Sequence, residues 1–341
     1  ISPIDLHVQA VARHKQGRFS EAEELYRKSL AGLEAGSTQS TAVTPIEASG
    51  HISLVWADYG ELLYTMGRYD DAALQFRLAS ESVTGPIEQF AEFIIYTRCR
   101  ESDSLRKSID GRSQAKQALQ TAEPAVAKLP TDHPLVAFFH ERQGWLALDE
   151  WQASNAAKSF RSAIALRQKN IDAGNRRAPF FLYFDEQGLA MAERLQGLLN
   201  DSRQRLEQLA NRVEKARTEP KRLSAKQRSE LESRYLNALE RLADVPLFDL
   251  GQPDQAREPL ERAIDFARRE SLNEGRLARH IDRIRFKLAI AHAATGRERE
   301  ATQTMAEASS TTLLGIDQQY RELAKGAIAL AEKIPPASHV F

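Results

Sequence analysis

A single cysteine, Cys99, in 341 residues leaves no internal disulfide framework and no cysteine-rich metal site. That usage fits a reducing compartment, and the expectation is a cytoplasmic chain. No apolar run approaches the ~20 residues needed to span a bilayer. The first residues, ISPIDLHVQAV, lack the charged-then-apolar layout of a signal peptide. The chain opens on Ile1 rather than Met, so it is expected to be a processed product or a piece of a longer protein. Charge of one sign is also missing. Lys+Arg and Asp+Glu stand at 47 each, so no whole-chain field draws the protein to nucleic acid or to an anionic membrane. Any charged partner must be recognised locally.

Glycine (17) and proline (13) are sparse, and they separate long stretches rich in Ala, Leu, Glu, Gln and Arg, all good helix formers. Alternating Val/Ile/Thr runs bounded by hairpin turns are absent, so the fold class expected is all-α. Capping chemistry places several helix starts. Thr44-Pro45-Ile46-Glu47, Ser20-x-x-Glu23 and Ser224-x-x-Gln227 read as capping boxes, and prolines at 86, 134 and 179 stand where helices can begin.

The stretch WADYGELLYTMGRYDDAALQFRLAS, residues 56–80, recurs along the chain. Gly67-x-Tyr69-x-x-Ala72-x-x-x-Phe76-x-x-Ala79 matches Gly17-x-Phe19-x-x-Ala22-x-x-x-Tyr26. Weaker copies carry Ala115/Leu119/Ala122, Ala156/Phe160/Ala163, Ala256/Leu260/Ala263 and Ala301/Met305/Ala308. Their first alanines are 50, 43, 41, 100 and 45 residues apart, so one degenerate unit is expected inside the longest gap. Spacings of three and four put each small–large–small set on one helix face. Trp56, Tyr59, Gly60 and Leu63 form the opposing stripe, and Gly67 ends that first helix in a left-handed conformation. The unit is an antiparallel helical hairpin that buries one face internally and the other against its neighbour.

Trp56-x-x-Tyr59-Gly60-x-x-Leu63 followed by Gly67-x-Tyr69-x-x-Ala72-x-x-x-Phe76-x-x-Ala79 resembles the tetratricopeptide repeat (TPR) signature. The long repeats are similar to those of kinesin light chains and of bacterial multidomain TPR proteins. The resemblance implies a right-handed superhelix, an α-solenoid of about seven antiparallel helix pairs over residues 1–341. It also implies an irregular segment at 179–234, a capping helix at about 315–334, and a concave groove lined by the first (A) helices. By that register Glu61, Tyr64, Arg100, Glu141, Trp145, Arg241 and Phe248 are the groove candidates for a protein or peptide partner, with core packing the favoured reading for Trp145 and Phe248. Binding of a peptide C-terminus through a carboxylate clamp is not expected, because Ala57 and Glu61 occupy the comparable positions. Asp58 stands where kinesin light chains carry a groove asparagine.

No GxSxG, P-loop or GxGxxG is present, so no catalytic residue, cofactor or metal is assigned and the chain is not expected to be an enzyme. His133, His140 and Glu141 have no zinc spacing and read as capping and surface residues. Cys99 lies between Arg98 and Arg100, which would lower an exposed thiol's pKa; the plainer reading is a small packing residue. Residues 212–228 carry seven basic and two acidic side chains but no interleaved aromatics, so a solvated loop or helix edge is favoured over nucleic-acid binding. The function expected is a protein-interaction scaffold. The alternative is a regulatory segment of a larger bacterial enzyme, of kinase or CHAT-protease type, whose catalytic domain lies outside this chain.

Overall fold

The small–large–small stripes fall on helices and turn inward, except that in the last one only Ala301 is buried and Ala308 lies beyond the helix end. In the computed structural model, which describes residues 1–37, 45–108, 110–175, 178–219, 223–270, 272, 277–308 and 316–331, Ala72, Phe76 and Ala79 are fully buried. So are Ala156, Phe160 and Ala163, and Ala256, Leu260 and Ala263. Burying one such phenylalanine is worth about 1.5–3 kcal/mol, so these stripes dominate the packing. Fifteen α-helices and no strand occur among the described residues.

The chain folds as two compact units, Ile1–Pro179 and Phe180–Phe341. The first holds the hairpins α1 (Pro3–Lys15)/α2 (Phe19–Ser37), α3 (Pro45–Thr65)/α4 (Tyr69–Glu81), α5 (Ile87–Lys107)/α6 (Arg112–Val126) and α7 (Pro134–Asp149)/α8 (Ala153–Asp172). Each second helix packs on the next first helix, α2 on α3, α4 on α5 and α6 on α7. The second unit holds all but the first two residues of α9 (Ala178–Leu195), paired with α10 (Leu199–Thr218), then α11 (Ala225–Asp244)/α12 (Pro253–Arg269), α13 (Ala278–Ala294)/α14 (Glu298–Ala306) and a final helix, α15 (Ile316–Ala331). There α10 packs on α11, α12 on α13, and α15 on both α13 and α14. Among the described residues the fold is thus all-α, with four helical hairpins in the first unit and three hairpins and a final helix in the second.

Two local rules build each hairpin. The first is the turn. Gly67 adopts φ +78°, and the Arg68 amide donates to the Leu63 carbonyl at 2.9 Å, which ends α3 in the left-handed manner that glycine adopts without a Cβ penalty. Gly17, Gly197, Gly251 and Gly296 repeat that conformation. The second is a close approach. A Cβ on Gly60 would stand 3.0 Å from the Phe76 ring, and one on Gly144 would stand 2.8 Å from the Phe160 ring. A side chain at either place would press into the ring that faces it, harder at Gly144 than at Gly60.

The unit hidden in the long gap is α9/α10. Gly197 lies five residues before Ser202, as Gly67 lies five before Ala72, and Ser202, Leu206 and Leu209 are the buried stripe. Serine took the place of the expected alanine. Its Oγ donates to the Ala190 carbonyl at 2.8 Å, so the polar atom is satisfied in the close contact.

Helix starts follow capping chemistry in part. The Ser224 box is closed from both sides, with Gln227 N to Ser224 Oγ at 3.2 Å and Ser224 N to Gln227 Oε1 at 2.9 Å. Ser20 is not a cap. Helix α2 begins one residue earlier, at Phe19, which places the hydroxyl inside the first turn. Ser2 with Asp5 forms a further capping box on α1. Thr44 lies outside the described residues.

Candidate functional site

The A-helices α3, α5 and α7 of the first unit bring charged and aromatic side chains together in one network. Arg100 on α5 grips Glu61 on α3 through two parallel bonds, Nε to Oε1 at 2.5 Å and Nη2 to Oε2 at 2.8 Å. The Tyr96 hydroxyl donates to the same carboxylate at 2.6 Å. The Arg100 guanidinium lies 4.0 Å from the centre of the Tyr64 ring, a cation–π contact. Tyr64 in turn donates to Asp103 at 2.5 Å and accepts from Lys107. Bidentate, planar pairing of this kind fixes helix register as well as adding attraction.

Asp103 is the centre of the network. It is 3 % exposed and meets Arg142 of α7 at 2.7 Å, Arg100 at 3.3 Å and Arg106 at 3.4 Å. Burial alone would raise its carboxyl pKa, but Arg142, Lys107, Arg106 and Arg100 hold it far below the ordinary carboxylate range. Lys107 is a third exposed, at 34 %. Partial loss of hydration, together with the guanidinium groups of Arg106, Arg100 and Arg142, outweighs the pull of Asp103 and brings its amine down to about 8. The pair Arg106–Asp149, at 2.7 Å, continues the network into the end of α7.

Of the sequence candidates, Glu61, Tyr64 and Arg100 therefore meet in one cluster. Glu141 and Trp145 do not reach the surface. Glu141 is enclosed between Arg142 at 2.5 Å and Arg167 at 3.1 Å, and Trp145 packs edge-on against Phe160 at 5.3 Å. Both point to the interior of the α7/α8 hairpin, so neither can touch a partner directly. Glu61, with its carboxylate turned to Arg100, offers no positive charge to a peptide C-terminus, and Asp58 is held by His7 of α1 at 2.8 Å.

In the second unit Arg241 pairs with Asp244 at 3.3 Å, beside a buried cluster. Lys287, fully enclosed, sits 2.6 Å from both Glu240 and Asp244, and Arg283 bridges Glu240 (2.7 Å) to Asp317 of α15 (3.2 Å). His280 also reaches Glu240, at 2.9 Å. Burial would raise the Glu240 carboxyl, but Lys287, His280 and Arg283 hold it well below the ordinary value. Phe248 stands on a π-helical turn, Val245–Asp249, where Pro246 has no amide proton to continue the α pattern. The residue is 42 % exposed and, with Ile290, Leu323, Ala327 and Leu330, lines an apolar groove of about 970 Å³ against α15.

The other sequence candidates for chemistry have structural places. Cys99 is fully buried, and burial pushes its thiol up instead of the flanking arginines lowering it. His133 caps α7, its Nδ1 accepting from the Leu135 amide at 3.3 Å, and His140 bonds Gln143 at 3.0 Å. Within 212–228, Arg212 pairs with Glu186, and Arg217 pairs with Glu270 at 2.8 Å while lying 4.8 Å from the centre of the Phe266 ring. These two cations are therefore committed to neighbouring helices; residues 220–222 lie outside the described residues.

Sequence reasoning missed Asp103, Lys107 and Arg142. A signal for the first two existed in RCRESDSLRK, where Arg100, Asp103, Arg106 and Lys107 stand three and four apart on one helix face. Nothing local announced that Arg142, on another helix, completes the set.

No protein-family model matches this chain, and no curated protein does. Among solved structures, the crystal structure of a tetratricopeptide repeat protein from Parabacteroides merdae ATCC 43184 is similar over 95 % of this chain and 98 % of its own, with a TM-score of 0.55 and 13 % identity. The fold is that of tetratricopeptide-repeat proteins. No helix among the described residues is long and apolar enough to cross a membrane.

Proposed function

We propose that the chain is a non-catalytic scaffold whose α3–α5–α7 face binds a protein or peptide segment. The observation that carries this reading is the concentration on that face of Glu61, Tyr64, Tyr96, Arg100 and Lys107, pre-ordered by mutual bonds yet still partly exposed. Aromatic and arginine side chains held rigid before binding lose little entropy on contact, which favours affinity. With no net charge on the chain, recognition rests on this local pattern. A cytoplasmic setting is part of the proposal, supported by one buried free cysteine.

Photo-crosslinking tests it. A benzophenone side chain in place of Lys107 is expected to capture a polypeptide from native extract, whereas the same group at Gln117, on α6, captures none. Equal capture at both positions, or turnover of a substrate that a change at Lys107 abolishes, would overturn the reading.

A further inference from the structure

Trp151 breaks the turn rule. It occupies the position of Gly67 in its own hairpin, with the Gln152 amide bonded to the Ala147 carbonyl at 2.8 Å, and it is the one non-glycine residue with positive φ (59°) among the described residues. A bulky side chain there is strained, because its Cβ crowds the backbone. Packing does not compensate, since the residue is 77 % exposed. Strain of this kind, without a structural gain, points to use of the side chain by something outside the fold.

Its two sequence neighbours, Glu150 and Gln152, line a cavity of about 430 Å³ between α6, α7 and α8. That size falls within the roughly 300–1,000 Å³ of small-ligand sites. The side-chain amides of Gln120, Gln143, Gln152 and Asn155 and the hydroxyls of Ser159 and Ser162 contribute to the wall. Lys116 and Lys158 are balanced there by Glu123 and Glu150, so the cavity does not select an ion. Asn155 Nδ2 donates to Gln152 Oε1 at 2.9 Å and Gln152 Nε2 donates to Glu150 Oε2 at 2.9 Å, which fixes the polar edge in advance.

Amides and hydroxyls both donate and accept. The ligand that matches them group for group is a polyol, whose hydroxyls do the same on every side. Trp151 does not itself line the cavity, but its exposed indole, next in sequence to the lining residues Glu150 and Gln152, offers a flat apolar face on which the C–H face of a pyranose ring can stack. We infer that the α6–α7–α8 cavity, with Trp151 between two of its lining residues, is a binding site for a neutral oligosaccharide. The site is separate from the α3–α5–α7 face and does not depend on the proposal made for it.

The test uses the full chain and Trp151→Gly on an array of immobilised neutral oligosaccharides, followed by fluorescence titration of the strongest binder and by thermal melts. The wild type is expected to bind at least one neutral glycan. Trp151→Gly is expected to weaken that binding tenfold or more while its Tm rises by about 2–4 °C, which separates lost recognition from lost folding. Gln152→Ala, at unchanged Tm, is expected to weaken the same titration. Absence of binding across the array, retention of affinity in Trp151→Gly, or capture on a matched peptide array in place of the glycan array would overturn the assignment.

Discussion

Glycine-to-alanine substitution at three helical positions makes one chemical change in three environments, and the packing geometry gives each its own outcome. In a helix interior alanine is better than glycine by about 0.8–1.0 kcal/mol. At Gly326, on α15, nothing lies within 4 Å of an added Cβ, so Gly326→Ala is expected to gain about 1 kcal/mol. At Gly60 the methyl would stand 3.0 Å from Cε1 and Cζ of Phe76, and the ring must shift by a few tenths of an ångström. An overpacking cost of about 1 kcal/mol offsets the helical gain there, leaving a net near zero. At Gly144 the methyl would meet Cζ, Cε1 and Cε2 of Phe160 at 2.8–2.9 Å, and that ring is fully buried with Trp145 edge-on against it. The cost there approaches the upper end of about 1–3 kcal/mol, for a net loss of about 1–2 kcal/mol. Urea midpoints by far-UV circular dichroism, with hydrogen exchange on α7 and α8 because a repeat array need not unfold in one step, measure the series. Stabilisation by Gly144→Ala equal to that by Gly326→Ala would refute the close-approach argument.

Asp103→Ala removes the anion on which four cations converge and is expected to cost about 3–5 kcal/mol in a urea titration of the first unit. Because the folded pKa of Asp103 lies below its unfolded value, its contribution is full above about pH 4 and is lost as pH falls further, so wild-type acid melts should show that loss and Asp103→Ala should not. Lys107 is expected to acylate with a midpoint near pH 8, earlier than the other lysines, in mass spectra of pulse-labelled protein. Its lowered folded pKa means that stability gains from this group as pH rises from about 8 towards the unfolded value of about 10.4. Lys287→Met keeps the side-chain volume but removes the cation that Glu240 and Asp244 share, leaving Glu240 to Arg283 and His280 and Asp244 to Arg241, and chemical denaturation should register a loss of about 3 kcal/mol or more.

The hairpins were legible because their code is local. Small and large residues at helical spacing, with a left-handed glycine before them, dictate the contact in each unit, and Ala72, Phe76 and Ala79 are buried as that code requires. Where a substitution preserved the physics but changed the letter, the pattern weakened in the sequence. Ser202 replaces alanine by bonding a carbonyl, and Trp151 replaces glycine by accepting strain. The candidate site was legible in part. Glu61, Tyr64 and Arg100 were found because a periodic register places them on one face, and their partner Asp103 stands among them on α5. Glu141 shows the limit of that register, since helical phase alone does not tell a surface carboxylate from one enclosed by Arg142 and Arg167 on two helices. Long-range ion pairing depends on which helices meet, and that is set by packing, not by spacing.

The binding role of the α3–α5–α7 face is tested most directly by titrating the polypeptide crosslinked at position 107, once purified, against the wild type, Lys107→Ala and Gly326→Ala in a calorimeter. The account predicts a single site whose affinity falls tenfold or more in Lys107→Ala and is unchanged in Gly326→Ala. Equal affinity for all three proteins would contradict it.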